Sequence, residues 1–126
     1  FVNAILENHF RHLSHVHPIT LSRDQQWATF RGFRLSRGFN RGYISILLKC
    51  PPDYPRTPPG INRDLFVPGG LQYQGRPLVH LHPNVNPGWG DWGWYCFHLI
   101  AWDMHRDNLL TFLDMFRTEL TRPATR

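Results

Sequence analysis

The sequence predicts one α+β domain with an opening helix, an antiparallel meander, a stiff proline loop, a glycine- and tryptophan-rich loop and a closing helix. Three observations lead there. Apolar residues recur at helical spacing near both ends, runs of branched and aromatic residues between positions 19 and 49 are broken by turn residues, and prolines cluster at 51–59. With 126 residues, the chain is long enough to bury a core without disulfide or metal staples. Five tryptophans and nine phenylalanines provide apolar bulk and argue against disorder.

In chain order, Val2, Ile5, Leu6, Phe10 and Leu13 fall near helical spacing, so a helix is expected over 2–13. His17-Pro18 ends it, because the residue before proline resists helical geometry. Residues 19–21, 27–35 and 43–49 read as strands, with a turn at 38–42, and together they make the meander. Pro51, Pro52, Pro55, Pro58 and Pro59 then remove backbone donors and fix an extended loop. Residues 60–77 are expected to be mostly loop, with a short strand at 65–67 and a turn at Gly69-Gly70. A strand over 78–81 leads into His82-Pro83-Asn84, and 86–95 is expected to be loop throughout. Leu109, Leu110, Phe112, Leu113, Phe116 and Leu120 form an apolar stripe for a helix at 107–120, with Asp107 as its N-cap. Neither a repeat nor a domain boundary divides residues 1–126.

The net charge is +5, yet Lys49 is the only lysine and the thirteen arginines are scattered. Arginine-favouring codon usage explains that bias; avoidance of surface amines by a carrier of activated acyl groups is the functional alternative. Without a dense basic run, nucleic acid is not an expected partner. No apolar run approaches the roughly 18 residues of a membrane span, so no membrane partner is expected either. The sequence opens at Phe1 rather than methionine, which suggests a segment of a longer protein. Cys50 and Cys96 read as free thiols in a reducing, cytoplasmic compartment, with Cys50 in the core; a single disulfide between them is the alternative.

The chemistry concentrates at His82-Pro83-Asn84 and Cys96, twelve residues beyond Asn84. A thiol near an amide donor suits acyl transfer through a thioester: the sulfur attacks a carbonyl, and the developing oxyanion needs a neutral hydrogen-bond donor. His82 is expected to donate to a nearby backbone carbonyl and hold the turn. His80, His82, Cys96 and His98 also offer zinc ligands two residues apart, a nitrogen and sulfur mix that zinc favours.

This order of elements resembles the ubiquitin-conjugating enzyme family. Tyr54-Pro55-Arg56-Thr57-Pro58-Pro59 is similar to the family's Tyr-Pro-x-x-Pro-Pro loop, His82-Pro83-Asn84 to its His-Pro-Asn turn, and Cys96 to its catalytic cysteine. The resemblance implies a thioester-forming transferase that carries a ubiquitin-like modifier on Cys96 and passes it to an amine on a protein substrate. It implies Asn84 as helper to the oxyanion, His82 and Pro83 as the supporting turn, and no cofactor beyond nucleotide spent by an activating enzyme. Tyr54, Pro55, Pro58, Pro59 and Trp102 match surfaces that meet ligases, and Arg11 and His12 on the first helix match the surface that meets the activating enzyme. The acid or base for the incoming amine is open among Asp91, Asp103, Asp107, His98 and His105. The family's last two helices have no counterpart, and Trp89, Trp92 and Trp94 lengthen the path from Asn84 to Cys96, as fits a compact, divergent, bacterial member. A non-catalytic binding module of the same fold and a zinc protein are the alternatives.

Overall fold

The computed structural model describes residues 3–15, 17–60, 63–99 and 101–126. Helix α1 spans Ala4–Ser14 and starts where Asn3 accepts the Leu6 N–H at 2.9 Å. Asn3 Nδ2 also donates to the Pro52 and Tyr54 carbonyls, at 3.1 and 2.8 Å, so the cap ties the helix to the proline loop. Leu6 and Leu13 are buried, Phe10 is half-buried against the core, and Ile5 is 51% exposed. Val2 lies outside the described residues.

Strands β1 (Ile19–Leu21), β2 (Trp27–Arg34) and β3 (Tyr43–Lys49) form the expected meander, and β4 (Leu65–Pro68), at the short strand expected over 65–67, extends it. Strands β7 (Leu81–His82) and β8 (Trp92–Tyr95) complete a six-stranded antiparallel sheet in the order β1-β2-β3-β4-β8-β7. Register fixes the two faces, since directly paired residues share a side. Leu21, Ala28, Leu48 and Leu65 are successive partners on the inner face, and all but half-buried Leu21 are fully buried. Helix α2 (Leu109–Glu119) packs on that face through Phe116, which meets Phe33 at 6.2 Å and Tyr95 at 5.1 Å between ring centroids.

The opposite face carries Thr20, Thr29, Leu47, Phe66, Trp94 and His82 as one row across all six strands. Leu47 and Phe66 are as buried there as core residues because aromatic groups roof them. Trp27 leans on Phe66 at 6.2 Å, Trp89 meets Trp27 edge-on at 5.0 Å, and the Arg63 guanidinium lies 5.0 Å above the Trp94 ring. Trp89 thus carries its loop onto the sheet face.

Several local expectations are corrected. Within 78–81 only Leu81 joins the six-stranded sheet, continuing into His82, because the Leu81 N–H turns back to the Leu78 carbonyl at 3.3 Å and Leu78 instead bridges Thr125. The residues before it pair with the chain's last residues: Val79 N–H donates to Ala124 O, and Arg126 N–H to Pro77 O. The expected loop over 86–95 ends in β8, whose alternation of Trp92, Gly93, Trp94 and Tyr95 suits a strand between β4 and β7. Within 60–77, a hairpin of β5 (Gln72–Tyr73) and β6 (Arg76–Pro77) forms around Gln74-Gly75, both at positive φ. The N-cap of α2 is Asn108, not Asp107: Asn108 Oδ1 accepts the Leu110 and Thr111 N–H groups, and Thr111 Oγ1 accepts the Asn108 N–H. Leu110, counted in the apolar stripe, faces solvent at 39% exposure. Among the described residues no helix is long and apolar enough to cross a membrane.

Two measurements check this packing. In urea denaturation Phe116→Ala is expected to cost about 3–5 kcal/mol, as for a buried aromatic, whereas Leu110→Ala should stay within about 0.5 kcal/mol. Equal losses would contradict the placement of α2. Burial pushes the Tyr95 phenol well up, reinforced by its bond to Glu119, and burial likewise raises Tyr54. Their stabilisation is therefore complete below the unfolded phenol value of about 10 and is lost as pH rises above it. Unfolding free energy should fall above about pH 10, and less steeply in Tyr95→Phe.

Candidate active site around Cys96

Cys96 follows β8 directly, and the strand decides where its sulfur points. Tyr95 is buried, its ring edge-on to Phe116, and its hydroxyl donates to Glu119 Oε2 at 2.8 Å. Phe97 points the same way, 5.8 Å from Phe112 and 5.4 Å from Phe116 between centroids. In an extended chain successive side chains alternate, so Trp94 takes the other side and Cys96, the first residue past the strand, follows it, while His98 lies beyond the sheet and also borders the cavity against α2. The Cys96 N–H donates to the His80 carbonyl at 2.8 Å, which carries the ladder one residue past β8. Cys96 Sγ is half-buried and lies 3.2 Å from His98 Nε2, on an exposed imidazole.

The His82-Pro83-Asn84 turn forms as a turn. Val85 N–H donates to His82 O at 3.2 Å, and Trp94 N–H donates to Val85 O at 2.9 Å, so the turn folds over β8. Gly93 makes this possible: a Cβ there would meet Leu81 Cδ1 at 3.0 Å and Pro83 Cα at 3.1 Å. Among the described residues the His82 ring bonds no carbonyl. It stacks on Trp94 at 4.7 Å, because both side chains belong to the same cross-strand pair on the outer face.

Asn84 is exposed at the tip of this turn, and among the described residues it makes no hydrogen bond to Cys96. Cys96 aligns with His80, so the turn begins two residues further along, about 7 Å at the usual rise of a strand. Of the tryptophan-rich segment, Trp89 packs away on Trp27, whereas Trp94 pairs with His82 and stacks on its ring, next to the turn.

Other sequence candidates are committed elsewhere. Asp107, only 5% exposed, accepts the Asp103 N–H on Oδ2 at 2.8 Å and closes the turn before α2. Asp103 Oδ1 accepts the His105 N–H at 2.9 Å, leaving that histidine on the exposed rim of the same turn. The Asp91 carbonyl accepts the Gly69 N–H at 2.9 Å, before the end of β8 opposite Cys96. His80, His82, Cys96 and His98 do not converge as a set of four: among the described residues no three His, Cys, Asp or Glu side chains gather where a metal ion could sit, and His82 is stacked on Trp94.

The partner-surface candidates do meet. Trp102 Nε1 donates to the Pro55 carbonyl at 2.7 Å, and its ring lies 6.5 Å from that of Tyr54. This joins the loop after Cys96 to the proline loop. Tyr54 is buried with its hydroxyl 2.8 Å from His9 Nδ1 on α1, and burial holds His9 below the usual imidazole range. Pro58 and Pro59 line a cavity of about 350 Å³ together with Phe97, His98 and Trp102. A second cavity of about 510 Å³ lies against α2, between His98, Leu99, Met115 and Arg122. Arg11 is solvent-exposed on α1, 3.6 Å from Glu7. Tyr95, Glu119 and Gly93 were not legible as positioning residues, because their roles depend on α2 and the turn meeting β8.

Compared with known proteins, the chain matches no family model, no curated protein and no solved structure.

The two thiols predict opposite behaviour. Both are free, Cys50 is buried, and burial pushes its thiol up to about 12. Native labelling with iodoacetamide at pH 8, read by peptide mass spectrometry, should modify Cys96 and leave Cys50 unmodified until the protein unfolds. Equal labelling of both in the native state would contradict the packing of β3.

Proposed function

We propose that this chain is a conjugating enzyme for a ubiquitin-like modifier, of the ubiquitin-conjugating fold, working in the cytoplasm and carrying the modifier as a thioester on Cys96. The observation that supports it best is the half-buried thiol held just past β8, 3.2 Å from an imidazole and next to the joined proline and post-Cys96 loops. In the first step the Cys96 sulfur attacks the thioester of an activating enzyme. A carbon–sulfur bond forms to Cys96 and the donor's sulfur leaves with the proton that Cys96 gives up. In the second step a substrate amine attacks the same carbonyl, an amide forms, and Cys96 regains its thiol. Both steps develop charge on the carbonyl oxygen, where a nearby amide donor such as Asn84 would act once a bound modifier brings the turn and the thioester together. The joined loops, where Pro58 and Trp102 are half-buried above the buried Tyr54, Pro55 and Pro59, are the docking place we assign to a ligase, and the Arg11 face of α1 that for the activating enzyme. Nucleotide is consumed upstream, so the chain needs no cofactor.

A second reading is a non-catalytic binding module of the same fold, favoured by Asn84 being exposed and unbonded to Cys96. One experiment separates them. The protein is incubated with an activating enzyme, its modifier, ATP and magnesium, then run on a non-reducing gel. A reductant-sensitive adduct that disappears in Cys96→Ala is expected; its absence beside a demonstrably active upstream enzyme would overturn the conjugating role.

A further inference from the structure

We infer that His98 takes the proton from the amine when the acyl group leaves Cys96, an assignment that rests on the thioester reading above. Three observations converge on it. The first is contact, since Nε2 lies 3.2 Å from Sγ, so the imidazole stands where a thioester on that sulfur would form. The second is access: His98 lines both cavities that flank the segment after Cys96, the one toward Pro58 and Trp102 and the one toward Met115 and Arg122. A nucleophile entering from either side meets the imidazole at the thioester. The third is that the rival acids belong to the turn before α2 or to the far end of β8. Asp107 is buried on the Asp103 N–H, Asp103 holds the His105 N–H, and Asp91 precedes the far end of β8.

The chemistry closes without an outside reagent. In the tautomer with its proton on Nδ1, His98 Nε2 accepts the Cys96 S–H. Once Sγ carries an acyl group there is no S–H left to occupy Nε2, and the imidazole is free beside the thioester. The amine nitrogen bonds to the carbonyl carbon, its proton passes to Nε2, and the carbon–sulfur bond breaks with the electron pair leaving on Sγ. The proton then returns from Nε2 to sulfur, which restores Cys96 as a thiol and His98 as neutral imidazole. The charged and titratable groups around this pair are His80 and His82 from the β7 side and Glu119 and Arg122 from the α2 side. Glu119 is already engaged by Tyr95.

The test uses the full chain and a small acyl donor, acetyl-glycine benzyl thioester, at a pH where an exposed thiol exchanges freely. Charging of Cys96 is followed by intact mass, excess donor is removed, and discharge to free lysine is timed. His98→Ala and His98→Gln should charge as fully as wild type but discharge to lysine about a hundredfold more slowly, the middle of the usual range for a general base. Added imidazole should restore much of the rate in His98→Ala, which a purely structural role would not allow. Because His98 is exposed, both variants should keep the wild-type unfolding transition. A wild-type discharge rate in His98→Ala overturns this assignment and leaves the thioester reading standing. Failure of wild-type Cys96 to charge at all overturns both.

Discussion

Tyr95 sits between β8 and α2, its ring against Phe116 and its hydroxyl on Glu119, and that burial fixes the direction of every neighbour in the strand. A phenol donating to a carboxylate in a shielded site is worth about 1.5–3 kcal/mol. With Tyr95 held inward, alternation turns Cys96 away from the core, and His98, two residues on and past the strand, comes within 3.2 Å of its sulfur. Their contact follows from the core and needs no dedicated bond to assemble it. A one-residue slip of β8 would bury the thiol and expose the phenol.

A second junction is built around the proline loop. Asn3 caps α1 and at the same time binds the Pro52 and Tyr54 carbonyls, while Tyr54 reaches His9 and Trp102 reaches Pro55. Prolines lack donors, so the loop's carbonyls are free to accept from side chains of other elements. The loop thereby links the first helix to the segment that carries His98. Gly60 closes it in a left-handed conformation, φ +71°, at a point where a Cβ would meet Leu48 Cδ2 at 2.9 Å.

The outer sheet face explains the tryptophans. Leu47 and Phe66 lie on the side away from both helices and still need cover, which Trp27, Trp89 and Trp94 provide with Lys49 and Arg63 above the rings. Lys49, the chain's only lysine, is drawn over Trp27, 5.6 Å from its ring. The long path from Asn84 to Cys96 is therefore a roof for the second face as well as a linker.

The sequence by itself determined the elements whose signal is local. The 3.6-residue stripes place both helices, the branched runs place β1 to β3, and the prolines forbid regular structure at 51–59, each through the preferences of neighbouring residues. Even the Cys96-His98 spacing was legible, because two residues in an extended chain share a side. What only the tertiary structure decided depends on partners distant in sequence. Trp92 to Tyr95 looks like loop until β4 and β7 flank it, and Gly93 acquires meaning only where Pro83 crosses it. Asp107 resembles a cap until the turn at Asp103 claims its carboxylate and leaves capping to Asn108. Residues 78–81 look like one strand entering the turn until the chain's last residues take up the hydrogen bonds of Pro77 and Val79. Local preference is a matter of a few tenths of a kcal/mol per residue, whereas a cross-strand register commits a whole segment at once, and it was the register of β8 that placed the thiol.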